Sequence, residues 1–279
     1  ERCAGRGVFE RMWNPLLRAK FDDDLDGLSA TWLWQRTRRM SGARRKGSTE
    51  VCGALDGGYQ TMVDALAARI TERGGRLFTS TAVDGFAAGT PPTVTVDGEV
   101  RPYRMVAATT LPPITRRLMG DDSVLEGTPD RYLGVVCLLL KLRRSLSRYY
   151  TVNITDPTTT LTGIIETTRV LDPGGERDHA LVYLPKYVNS DSPLLKAPDE
   201  EIEQRFLRDL GHVFPDFSPE RDVIASRVMR AGLAEPVHGI GAGPGVPGTF
   251  HPASPGIAFA STAQIFPIVV SGQATIRLA

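Results

Sequence analysis

Leu55-Asp56-Gly57-Gly58-Tyr59-Gln60-Thr61-Met62-Val63-Asp64-Ala65-Leu66, running on through Ile70 to Gly74-Gly75, is the stretch whose reading decides the fold. Asp56-Gly57-Gly58 opens a helix in which Tyr59, Met62, Val63, Leu66 and Ile70 recur at three- and four-residue steps, forming one apolar stripe. Gly74-Gly75 closes it, as glycine just past a helix end commonly does. Arg76 to Val83 then reads as a strand. Thr93-Val94-Thr95-Val96, Asp97-Gly98 and a second β-rich run ending at Val106-Ala107-Ala108-Thr109 predict a hairpin, since Asp-Gly supplies the positive φ of a two-residue turn. Helix, strand and hairpin in that order make one compact α/β layer.

Upstream, Phe9, Trp13 and Leu16 or Leu17 share a helical face, as do Leu28, Trp32 and Gln35 or Arg36, which predicts two short helices broken around Asp22-Asp23-Asp24. Ser41-Gly42-Ala43 and Gly47-Ser48 read as loop. Downstream, strands are predicted at Tyr132–Leu142, Tyr149–Ile154, Leu161–Val170, Ala180–Tyr187 and Val223–Met229. A helix over Asp199–Val213 buries Ile202, Phe206 and Leu210. A sheet covered by that helix is the economical architecture. Residues 236 to 256 are crowded with Gly and Pro and predict a loop along the surface. Ile257-Ala258-Phe259-Ala260 is then a short buried strand, and Ser271-Gly272 opens a last helix.

Composition narrows the function. The 279 residues are 41% hydrophobic and 23% charged, with a formal net charge of +1. Such a chain buries a core and exerts no global attraction on nucleic acid or anionic membrane. The basic run Arg36 to Lys46 has no recognition fold beside it, so no nucleic-acid partner is expected. Cys3, Cys52 and Cys137 are far apart, without CxxC spacing or a neighbouring histidine; neither a disulfide framework nor a metal site is expected, and the usage suits the cytoplasm. The longest apolar run, Leu133 to Leu140, is too short to span a bilayer. The expected partner is a small-molecule substrate, with room for peripheral membrane contact if that substrate is lipophilic.

Two literal motif matches fail on context, and a third motif is missing. Gly243-Pro244-Gly245-Val246-Pro247-Gly248 satisfies GxGxxG, but two prolines interrupt it and Thr249-Phe250-His251-Pro252 starts no helix. Asp22, Asp24, Asp26 and Gly27 match half a calcium loop whose bidentate glutamate position holds Leu33. No GxSxG accompanies the scattered His179, His212, His238 and His251. With no self-contained catalytic set, and no catalytic base to assign, chemistry borrowed from a cofactor is the natural reading.

Leu55-Asp56-Gly57-Gly58, the helix behind it, Gly74-Gly75, Thr81-Ala82-Val83 and Met105-Val106-Ala107-Ala108-Thr109 together resemble the middle of FAD-dependent amine-oxidase-like enzymes, the group that includes protoporphyrinogen oxidases and carotenoid desaturases. Trp13 to Phe21 and Ser29 to Arg36 are similar to a helical substrate-side segment in a bacterial branch of that group. Tyr149 to Asp156, Gly163 to Glu166 and Val182 to Pro185 are similar to its substrate sheet. The resemblance implies an α/β fold: a Rossmann-like FAD domain, here lacking the N-terminal βαβ unit that grips the pyrophosphate, with an α+β substrate domain inserted. Residues 1–50 would be the helical part of the substrate domain and 125–235 its sheet and helix. Residues 51–124 and 236–279 would be the middle and C-terminal parts of the FAD domain, and the active site would lie between the two domains.

By the same resemblance Val83 touches the adenine, Ala108 and Thr109 pass near the cofactor phosphates, and Ser261, Ser271, Gly272 and Gln273 close over the flavin. A helix opening at Ser271-Gly272 would aim its free amides at the flavin O2. Trp32, Trp34, Arg36 and Tyr183 are candidate pocket walls. The implied activity is oxidoreduction, with hydride passing from an organic substrate to FAD. Two alternatives stand beside it: a non-redox flavoenzyme resembling UDP-galactopyranose mutase, in which arginines near Arg36 would meet a nucleotide diphosphate, and a non-catalytic scaffold.

Overall fold

The computed structural model describes residues 5–21, 25, 27–42 (backbone alone at 40–42), 55, 57–156, 158–172, 177–243 and 245–268. The chain divides into two compact units, one of residues 1–26 and 131–237, the other of residues 27–130 and 238–279. Ser271, Gly272 and Gln273, the helix expected to open there and the loop expected at 43–48 lie outside the described residues.

In the first unit, α1 (Arg6–Val8) runs through a π turn (Phe9–Trp13) into α2 (Asn14–Phe21). The body of the unit is a five-stranded antiparallel sheet, ordered β6-β7-β8-β5-β9, from β5 (Tyr132–Leu142), β6 (Thr151–Asn153), β7 (Gly163–Glu166), β8 (Ala180–Asn189) and β9 (Val223–Pro236). The period-2 alternation of β5 sets its two faces. Val136, Leu138, Leu140 and Leu142 are fully buried, whereas Val135, Cys137, Leu139 and Lys141 are only partly so. The register Leu138↔Leu184 and Leu140↔Val182 puts the matching residues of β8 on the buried face.

That face is covered by α7 (Asp199–Val213), whose Ile202, Phe206 and Leu210 are 0% exposed. Their i, i+4, i+8 spacing makes the stripe, and Asp199, Glu200 and Glu201 in the first turn complement the helix dipole. Each such side chain contributes about 1.5–3 kcal/mol by leaving water. The predicted strand Leu161–Val170 is shorter than expected. It ends at Glu166, and α6 (Thr168–Leu171) follows, because the side chains at the strand's end are engaged in holding a turn. Glu166, 1% exposed, accepts from Leu146 N (3.1 Å) and pairs with Arg169 Nε (3.0 Å). Beside the sheet, α8 (Pro219–Asp222) ends in the buried Asp222, which receives Arg144 Nε (3.0 Å), Arg221 Nε (3.0 Å) and Ser218 N (3.0 Å).

In the second unit, α3 (Ala30–Gly42) and α4 (Tyr59–Glu72) precede a small antiparallel sheet of β1 (Gly85–Ala87), β2 (Thr93–Val96) and β3 (Glu99–Pro102). Asp97 (φ 52°) and Gly98 (φ 74°) form the predicted two-residue turn. Two expectations fail here. Arg76 to Val83 is not a strand among the described residues: no ladder runs through it, so its backbone has nothing to fix an extended pairing. And β4 (Val106–Ala108) is not part of the hairpin; it pairs in parallel with β10 (Ile257–Phe259), far away in sequence. α5 (Pro112–Met119) follows β4. Phe86, Ala108, Val124, Leu125, Ile257 and Phe259 form this unit's core.

Among the described residues no helix is long and apolar enough to cross a membrane, and no group of His, Cys, Asp and Glu could hold a metal ion.

Candidate functional site

The parallel pair β4/β10 is where the second unit could meet a cofactor, because ligands of α/β sheets gather outside the carboxyl ends of parallel strands. Ala108 pairs with Phe259, and Ala260 N donates to Ala108 O (3.0 Å). Thr109 and Ser261 therefore emerge side by side from neighbouring strands. Thr109 is exposed. Ser261 is 2% exposed, and its hydroxyl caps a short 3-10 turn (Thr262–Gln264) by accepting from Ala263 N (3.2 Å). Gln264 returns the contact, its Oε1 accepting from Ser261 N (2.8 Å), while its Nε2 donates to Pro247 O (3.1 Å). The two strand ends are thus held by a hydrogen-bonded loop.

The helix that follows β4 offers no anion-binding start. The first turn of α5 opens with Pro112 and Pro113, which carry no N–H, and the next amides, of Ile114 and Thr115, are both given to Leu111 O (2.9 Å each). A helix start with no free amide is no phosphate cradle. Val83 is 40% exposed in an irregular segment of the same unit.

On α3, Trp32 and Arg36 are one turn apart, and the Arg36 guanidinium lies 5.7 Å from the Trp32 ring centroid, a cation–π contact. Trp34, two residues from each, points to another side of the helix and is 63% exposed. Tyr183 belongs to the first unit. The register Ile165↔Tyr183↔Leu139↔Arg227, with Pro185↔Cys137↔Met229 beside it, places it on the sheet face away from α7. Tyr183 is 36% exposed and Met229 also lies open, so this face is a largely apolar floor with access from outside, and the exposed Arg227 stands in the same row. Lys20 of α2 stands over the Tyr187 ring (4.3 Å) and pairs with Glu235, two residues of the same face. Burial pushes the Cys137 thiol up to about 11, so at neutral pH it is a protonated, apolar part of that floor. Leu139, Cys137 and Met229 escape a reading of the sequence, since only the register shows that they share a face with Tyr183.

The arrangement resembles that of known flavoenzyme folds. A protein from Exiguobacterium sp. 255-15, provisionally named a protoporphyrinogen oxidase, superposes with a TM-score of 0.65 at 15% identity, over 93% of this chain and 60% of its own. Cyclohexylamine oxidase from Brevibacterium oxydans IH-35A gives 0.63 at 13% identity, over 98% and 63%. Reduced UDP-galactopyranose mutase gives 0.62 at 13%, over 85% and 54%. The chain thus has the fold of this class, and it spans 54–63% of the length of these three structures. No curated protein matches it in sequence. Residues 4–232 match the flavin containing amine oxidoreductase family, and the chain belongs to that family. Flavin is the family's cofactor.

Proposed function

We propose that this chain is the larger part of an FAD-dependent, amine-oxidase-like oxidoreductase, and that a βαβ unit outside the 279 residues supplies the pyrophosphate cradle. Flavin, when bound, supplies the two-electron acceptance that the protein's own side chains lack. The observation that carries the incompleteness is the bare stripe of α4. Tyr59, Met62, Val63, Leu66 and Ile70 all lie exposed, and no residue of that 14-residue helix is buried. A helix this short is marginal alone, and a contiguous apolar face marks an interaction surface. Leu77, Phe78 and Val83, in the neighbouring segment that forms no ladder, extend the uncovered apolar surface.

In this reading Thr109 and Ser261 line the cofactor at the ends of β4 and β10, with Val83 toward the adenine and Ser271, Gly272 and Gln273 toward the flavin ring. Tyr183, Leu139, Ile165 and Met229 would form an apolar floor for the substrate. That floor suits an organic substrate whose C–H bond gives up a hydride.

The test is the visible spectrum of protein purified with the coding sequence that precedes residue 1. Bands of bound oxidised flavin, FAD released on denaturation, and bleaching by an amine or polyene support the proposal. Flavin that stays oxidised with such compounds while UDP-sugar binds tightly moves the chain to the mutase-like reading, in which the Arg36–Trp32 pair would meet the nucleotide. A colourless, folded protein that ignores added FAD leaves a scaffold and refutes both.

A further inference from the structure

On the α7 side of the five-stranded sheet lies an open cavity of about 660 Å³, within the size range of small-molecule sites. Its floor is the end of the inward row of β8, where Lys186 follows Leu184 across from Val136. Its walls are the 158–160 loop, the 3-10 turn Pro193–Leu195 and the first turns of α7. Tyr183 belongs to the opposite face of the same strand, since odd and even residues of a strand point apart. This cavity is therefore separate from the substrate floor.

Lys186, Lys196 and Arg205 bring three positive charges to the cavity, and Glu201 brings one negative charge. The loop that carries the hydroxyls is fixed to the helix. Thr160 N donates to Asp209 Oδ2 (2.6 Å), and Arg205 Nε donates to Thr160 Oγ1 (2.6 Å). This holds the guanidinium plane while its two terminal nitrogens make no hydrogen bond or ion pair among the described residues. Lys196 and Glu201 share the cavity and form no ion pair with each other. Of the other cations in this unit, Arg230 pairs with Asp199 (2.5 Å), and Arg144 and Arg221 close on Asp222. Asp209 anchors the Thr160 amide and, although it keeps its negative charge, is not among the residues that line the cavity.

An oriented arginine fork with open donors, two lysines and a hydroxyl proton left to donate form a receptor for anionic oxygen. The fork matches phosphate or carboxylate in a bidentate manner, and the lysines act as point charges around it. We infer that this cavity binds a small soluble polyanion, a molecule bearing phosphate or carboxylate groups with at least two negative charges.

The experiment is calorimetric titration of inorganic pyrophosphate, and separately of citrate, into the full chain at low salt. At least one probe binds, its affinity falls as sodium chloride is added, and Lys196→Gln with Arg205→Gln weakens it by about tenfold or more. Glu201→Gln strengthens the same probe by about threefold, a gain that loss of structure cannot imitate. These three side chains are exposed, and circular dichroism of each variant should match the parent. Heats absent with both probes up to about 10 mM overturn the inference. So does affinity that the double variant keeps, or that Glu201→Gln lowers.

Discussion

Leu66→Ala measures directly whether the bare face of α4 is covered in the longer protein proposed above. Leu66 is 58% exposed on that helix. Full burial of a leucine side chain is worth about 1.5–3 kcal/mol relative to exposure, so covering the remaining 58% contributes about 1–2 kcal/mol. In the 279-residue chain the substitution removes little buried surface, and alanine is at least as good a helix former as leucine. The expected change there is within about 0.5 kcal/mol. In protein carrying the upstream sequence the same substitution should cost the further 1–2 kcal/mol (about that range by area), and retained flavin should fall with it. Urea unfolding followed by far-ultraviolet circular dichroism, with the slope of the transition compared between forms, reads both numbers. Equal small effects in the two forms would refute the reasoning, since the stripe would then stay open with its supposed cover present.

Other expectations concern the first unit. Phe206→Ala opens a cavity beneath the sheet and should cost about 3–5 kcal/mol in denaturant unfolding. The Asp222 carboxyl is held well below the usual carboxylate range by Arg221, Arg144 and the Ser218 amide. Its folded pKa is depressed, so its contribution is complete above about pH 4, the unfolded value, and is lost as pH falls from there toward the folded one. Asp222→Asn should therefore destabilise at pH 7 and flatten the acid limb of a stability–pH curve, and an unchanged acid limb would contradict the assignment. The Cys137 thiol, pushed up to about 11 by burial, should resist iodoacetamide at neutral pH in folded protein and label readily in urea, as read by mass spectrometry of its peptide. Gly98→Ala, at φ 74° in the β2–β3 turn, should cost about 1 kcal/mol.

Much of the first unit is legible in the sequence. Asp199 to Val213 is a helix with the predicted buried stripe, because Ile202, Phe206 and Leu210 repeat at helical spacing after an acidic first turn. Tyr132–Leu142 is a strand, and β8 runs two residues past its predicted end. Leu161–Val170 misleads because its β-branched residues carry on past Glu166. There the carboxylate's bonds to Leu146 N and Arg169 hold a turn that no periodicity reports. In the second unit the error at Arg76–Val83 has another source: a strand needs a neighbour, and the described residues provide none at that place.

The candidate site divides in the same way. Local pattern alone settled the helix behind Gly57-Gly58, the Asp97-Gly98 turn, the α7 stripe and the family likeness, because each depends on residues within a few positions of one another. Tertiary structure alone decided that Val106–Ala108 leaves its hairpin to pair with Ile257–Phe259, bringing Thr109 and Ser261 to one edge. It alone decided that Leu139, Cys137 and Met229 join Tyr183 on one face, and that Lys186, Lys196 and Arg205 line one cavity. These are long-range pairings, fixed by strand register and by which face a helix covers, and such choices depend on the whole chain rather than on any local stretch of it.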